Sequence, residues 1–134
     1  MKKFTLLLIA VLCLGVCEIG MASGGASLSP TSLNFGVISQ TDPPRKESTT
    51  LTNNGSTTIT ITEIEEDGTG DWQITKTCGS TLAPLASCTI SLTFDPSSYP
   101  PGIYTGTLYV YDTANNSPQT AALKVTVRCG SYGC

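Results

Sequence analysis

The chain contains no histidine. That absence removes Ser-His-Asp and Cys-His catalytic machinery, histidine-ligated zinc and any imidazole switch near neutral pH. Charge is scarce as well. Asp, Glu, Lys and Arg together supply 13% of the 134 residues, about half the usual share for a soluble domain. The 7 Lys and Arg are outnumbered by 10 Asp and Glu, so nothing draws the chain electrostatically to nucleic acid. Only one apolar run is long, from Phe4 through Val16, and it falls short of the roughly 20 residues of a membrane-crossing helix. Beyond it no window repeats apolar residues at helical spacing, and the length suits one small domain.

What is present begins with an address. Lys2 and Lys3 precede the apolar run, and the small residues Gly20, Ala22 and Ser23 follow it. This is the pattern of a secretory signal peptide over residues 1–22, cut after Ala22. The same stretch holds Leu14-Gly15-Val16-Cys17, the form of a bacterial lipoprotein processing box with Val16 bulkier than the residue usual there. Lipidation of Cys17 is therefore the alternative, and the one route by which this chain would meet a membrane. Processing removes Lys2, Lys3 and Glu18, which leaves the domain still more acidic. It also removes Cys13 and Cys17, leaving Cys78, Cys88, Cys129 and Cys134. An even set of cysteines in a small exported domain suggests disulfides. Local spacing favours Cys78–Cys88 and Cys129–Cys134, although the terminal pair could tie the tail elsewhere. Neither gap matches the paired Cys-x2-Cys spacing of structural zinc, so no metal and no cofactor is expected.

Residues 23–30 are Ser/Gly-rich and read as a flexible lead-in. Turn signals then recur at short intervals, among them Asn53-Asn54-Gly55, Asp67-Gly68, Pro100-Pro101-Gly102 and Asn115-Asn116-Ser117-Pro118. The runs between them alternate. Ile90, Leu92 and Phe94 oppose Thr89, Ser91 and Thr93; Leu123, Val125 and Val127 oppose Lys124 and Thr126; Leu108 and Val110 oppose Thr107 and Tyr109. Such runs are half-buried strands with one wet, threonine-rich face. Leu33, Phe35, Thr49, Leu51, Ile59, Ile61, Trp72 and Ile74 complete the inward set. One run breaks phase: Glu63 falls where the residue after Ile61 belongs inward and Ile64 is apolar instead, the mark of a β-bulge. The fold class is all-β, a sandwich spanning 23–128, with a Cys-bounded tail at 129–134.

The same residues resemble a known family. Leu28-Ser29-Pro30-Thr31-Ser32-Leu33-Asn34-Phe35-Gly36 is similar to the opening strand of the hydin/abnormal-spindle type of immunoglobulin-like domain, found in bacteria in exported "choice-of-anchor" proteins. Thr50-Leu51-Thr52-Asn53-Asn54-Gly55 resembles its second strand and turn, and Asp71-Trp72-Gln73-Ile74 a later strand. The segment from Cys78 to Ile90 resembles the bacterial Cys-Gly-x-x-Leu-x-Pro-Gly-x-x-Cys-x-Ile pattern, whose cysteines are expected to pair, with Leu85 where glycine is common. Phe94-Asp95-Pro96 resembles the corner that follows. The likeness covers residues 27–127. It departs at the end, where the family's Leu-x-Gly-x-Gly signature gives way to Leu123-Lys124-Val125-Thr126-Val127-Arg128-Cys129. It implies an immunoglobulin-like sandwich of about seven strands and a scaffold without a shared catalytic site.

Candidate chemistry is sparse. Glu63, Glu65, Glu66, Asp67 and Asp71 supply oxygen ligands but not the spaced loop of a calcium site, and read as a solvated connection. Asn54-Gly55-Ser56 and Asn115-Asn116-Ser117 match glycan acceptor sequons and read as turns. Tyr99, Tyr104, Tyr109 and Tyr111 group in one region, and alternation turns Tyr109 and Tyr111 outward as a candidate contact patch. The resulting expectation is an exported, non-enzymatic structural or interaction module, periplasmic or extracellular, offering a sheet edge or loops to a protein partner. The alternatives are an envelope lipoprotein anchored through Cys17 and a small carbohydrate-binding module.

Overall fold

A computed structural model describes residues 24–134; the segment 1–22, with the candidate lipidation residue Cys17, lies outside the described residues. Its strands are β1 (Ala26–Ser29), β2 (Ser32–Ser39), β3 (Arg45–Asn53), β4 (Ile59–Gly68), β5 (Trp72–Lys76), β6 (Thr81–Leu82), β7 (Ser87–Phe94), β8 (Gly102–Asp112) and β9 (Gln119–Arg128). One sheet has the order β1-β3-β7-β5, the other β2-β9-β8-β4-β6. They pack as an immunoglobulin-like sandwich. Neighbours are antiparallel except β2 and β9, which run parallel.

The strand count exceeds the expected seven or so for two local reasons. The opening strand is split: the chain leaves the first sheet at the cis Ser29–Pro30 bond and continues in the second as β2. Thr81–Leu82 adds a short strand on β4. The lead-in reading of residues 23–30 is thereby corrected. Ala26 and Leu28 are buried and β1 pairs with β3; their alternation is real but diluted by Ser and Gly.

The inward residues expected from alternation are buried, except Ile64 and Ile74, which are half-buried beside the core. Trp72 anchors one end, with ring centroids 6.4 Å from Phe35 and 5.5 Å from Phe94. Gly70 and Gly106 approach its indole so closely that a Cβ on either would collide with the ring. The Tyr104 hydroxyl donates to the Pro100 carbonyl at 2.7 Å, a tyrosine corner leading into β8. At the other end Asn53 is fully buried. Its amide donates to the carbonyls of Thr57, Leu82 and Ala83, and its oxygen accepts from Gly55 N–H. A buried amide so fully used fixes the loops around it.

The five-stranded sheet carries two bulges. The β4 register shifts between Ile61 and Glu63, where the alternation breaks, and this turns Ile64 inward. The second, between Asn34 and Val37, has no counterpart in the sequence reading. Gly36 takes φ 75° there, so Val37 is 51% exposed and Ile38 is buried in its stead. Cys78 and Cys88 are disulfide-bonded with Cα atoms 5.0 Å apart, joining the β5–β6 connection to β7. Cys129 and Cys134 close the tail with Cα atoms 5.1 Å apart. Two disulfides suit an oxidising compartment.

Candidate functional site

A sandwich must dispose of its edge strands, because each presents unpaired N–H and C=O groups. Side chains cap part of the β1/β2 flank. The bond from Asn54 N–H to Gly25 O directs the backbone groups of the odd residues of β1 at β3 and leaves the backbone groups of Ala26 and Leu28 pointing away from it. Asn116 then clamps Ala26, its oxygen accepting from Ala26 N–H at 2.9 Å and its amide donating to Ala26 O at 2.8 Å. On β2 the Arg45 guanidinium donates to Phe35 O, Asn34 accepts from Gly36 N–H and Asp42 accepts from Ser39 N–H.

The β4/β5 flank is different. β6 covers only Ile59 and Thr60, and Ile61 N–H reaches Ser80 O. Beyond that point β4 has β8 on one side and no strand on the other. Thr69 N–H bonds Thr105 O at 2.9 Å. Counting back by twos, Asp67, Glu65 and Glu63 exchange hydrogen bonds with Thr107, Tyr109 and Tyr111. The backbone groups of Ile64, Glu66 and Gly68 therefore project outward, a ladder with a repeat of about 7 Å. On β5 the bond from Thr77 to Thr89 sets the same alternation, so Trp72, Ile74 and Lys76 face the flank. Of these, Trp72 N–H is taken by the Glu66 carboxylate.

Side chains give the open edge two unlike faces. Glu63, Glu65 and Asp67 are exposed on the outer face. Ile64 and Glu66 turn inward, toward the side where Trp72 and Ile74 lie on β5. Desolvation raises the Glu66 pKa; the Trp72 N–H opposes the shift, and Asp71 and Asp67 add to it. Its Oε2 is buried with no hydrogen-bond partner. Among the described residues no three His, Cys, Asp or Glu side chains converge as metal ligands; Glu63, Glu65, Glu66 and Asp67 lie on β4, beside the open edge.

The tyrosines divide. Tyr99 and Tyr104 pack on Phe94, with centroids 4.7 and 5.9 Å away. Tyr109 and Tyr111 stand on the outer face of β8, half-buried and stacked, with centroids 6.1 Å apart and planes 17° apart. Desolvation and a hydrogen bond to Glu65 raise the Tyr111 pKa. The candidate patch thus adjoins the acidic edge. A shallow depression of about 230 Å³ lies between Asp71, Gln73, Asp95 and Tyr99. Its Asp95 is engaged by Ser97 N–H at 3.0 Å, which holds its carboxyl below the usual range. Sequence reasoning missed the clamp residues Asn116 and Arg45. Asn116 sits 90 residues from its partner Ala26, a separation no local pattern reports.

No protein-family model matches this sequence, and no curated protein matches it either. Solved structures do. The secreted serine protease VesC of Vibrio cholerae is 19% identical with a TM-score of 0.59, over 77% of this chain and 23% of that one. A protein of unknown function from Porphyromonas gingivalis W83 is 13% identical with a TM-score of 0.64, over 77% of this chain and 46% of that one. The ASH/PapD-like domain 7 of human CEP192 is 12% identical with a TM-score of 0.51, over 96% of this chain and 98% of that one. The chain thus spans less than half of the two bacterial proteins, and at these identities the likeness is one of fold. The shared architecture occurs as part of a secreted protease and as a PapD-like domain alike.

Proposed function

We propose that this chain is an exported, non-enzymatic interaction module of the hydin/abnormal-spindle type, which recruits an extended segment of a protein partner to the free edge of β4. The observation that carries the reading is the asymmetry of the flanks. Backbone groups of Ala26 on β1 and of Phe35, Gly36 and Ser39 on β2 are capped by Asn116, Arg45, Asn34 and Asp42, whereas Ile64, Glu66 and Gly68 on β4 meet no strand. Adding a strand to such an edge is a general mode of peptide recognition. The likeness to the ASH/PapD-like domain supports the family, and two disulfides support a periplasmic or extracellular site.

Photo-crosslinkers placed in turn at Glu65 and at exposed Val37 in the native envelope test this: a protein adduct from Glu65 through an extended segment is expected, and adducts from Val37 alone would contradict it. Mass spectrometry of the mature N-terminus separates the two routes of export, Ser23 for secretion and lipidated Cys17 for anchoring. The stacked Tyr109 and Tyr111 favour one further reading, a carbohydrate contact. A glycan array with Tyr109→Ala and Tyr111→Ala decides it.

A further inference from the structure

Resting on the edge reading above, we infer that the segment received by β4 alternates basic and apolar residues. A strand paired to Ile64, Glu66 and Gly68 sends successive side chains to opposite faces. Those on the outer face come beside Glu63, Glu65 and Asp67, each exposed and each negative. The cations of that sheet face, Lys124 and Arg128, stand on β9, with β8 between them and β4. Lysine or arginine at alternate positions completes the outer row, and opposite charges across a ladder stabilise pairing. Side chains on the inner face come beside half-buried Ile64 and Ile74, which lack cover and accept aliphatic residues. The buried Oε2 of Glu66 adds an unmet acceptor on that side. The same charges exclude a second copy of this edge, since two β4 strands would set acid against acid.

The test uses the purified chain and three hexapeptides: alternating Lys-Val, Gln-Val and Glu-Val. Binding is read by calorimetry and by protection of the Ile64, Glu66 and Gly68 amides from exchange. The Lys-Val peptide is expected to bind about tenfold more tightly than Gln-Val at low salt, with Glu-Val weakest. Neutralising Glu63, Glu65 and Asp67 to their amides removes that preference, and Ile64→Pro removes the edge N–H and the binding. N-methylation of alternate peptide amides repeats the latter test without altering the protein. If Gln-Val binds as well as Lys-Val and N-methylation abolishes both, the charge inference falls and the edge reading stands. If Lys-Val binds unaffected by Ile64→Pro and by N-methylation, or no peptide binds, both fall. A concentration-dependent dimer joined through β4 overturns the excluded second copy.

Discussion

The two flanks of this sandwich face the same problem and treat it oppositely. On the β1/β2 side a clamp, a bulge and a guanidinium engage backbone groups of Ala26, Phe35, Gly36 and Ser39. On the β4/β5 side the edge is left open and lined by Glu63, Glu65 and Asp67. Charge on an edge discourages indiscriminate pairing while leaving the backbone ladder available to a complementary strand. Capping removes the capped groups from pairing. The contrast locates interaction on one side of the molecule.

The largest effect belongs to the wall behind the open edge. Trp72→Ala removes a side chain that is 1% exposed and lowers unfolding free energy in urea by about 3–5 kcal/mol. Next comes a paired test on β4. Glu65→Pro deletes a bond to Tyr109 and costs about 3 kcal/mol, whereas Ile64→Pro, one residue away, costs about 1 kcal/mol, the packing of its half-buried side chain, because its N–H has no strand to lose. Equal losses would mean the edge is not free. On the closed flank, Asn116→Ala leaves Ala26 unclamped; it costs about 1–2 kcal/mol and increases association in sedimentation.

The structure also bears on Leu85, which stands where the pattern the sequence resembles has glycine. Leu85 takes φ 60° in the turn where Ala86 N–H bonds Ala83 O, and its side chain is 78% exposed. Glycine is at ease in that conformation and leucine is not, so Leu85→Gly raises stability by about 1 kcal/mol in thermal melts. The smallest effect carries a sign. Glu66 has a raised pKa, so below the ordinary carboxylate value neither folded nor unfolded chain bears the charge. As pH rises through the folded value, the native state holds an ion that it disfavours. Glu66→Gln therefore melts about one or two degrees above the parent at neutral pH, and the gap closes toward pH 3.

Alternation made the sandwich legible: Ile90, Leu92, Phe94, Leu123, Val125 and Val127 are all buried. The β4 bulge was legible too, because a carboxylate at an inward position violates the period at Glu63. The β2 bulge was not, since Phe35, Val37 and Ile38 are all apolar and either phase fits. The site was visible as an acidic run but not as an edge. Which strands lack neighbours is a property of topology, and Asn116 closes one flank from the far end of the chain. Tyr99 and Tyr104 stand near Tyr109 in sequence, yet the pleat and the corner at Pro100 send them to the core side.

Residue-resolved amide exchange tests the asymmetry most directly. The account predicts fast exchange at Ile64, Glu66 and Gly68 beside protected Glu65 and Asp67, with slow exchange at Ala26 and Gly36. Uniform protection along β4, or rapid exchange at Ala26 and Gly36, would contradict it.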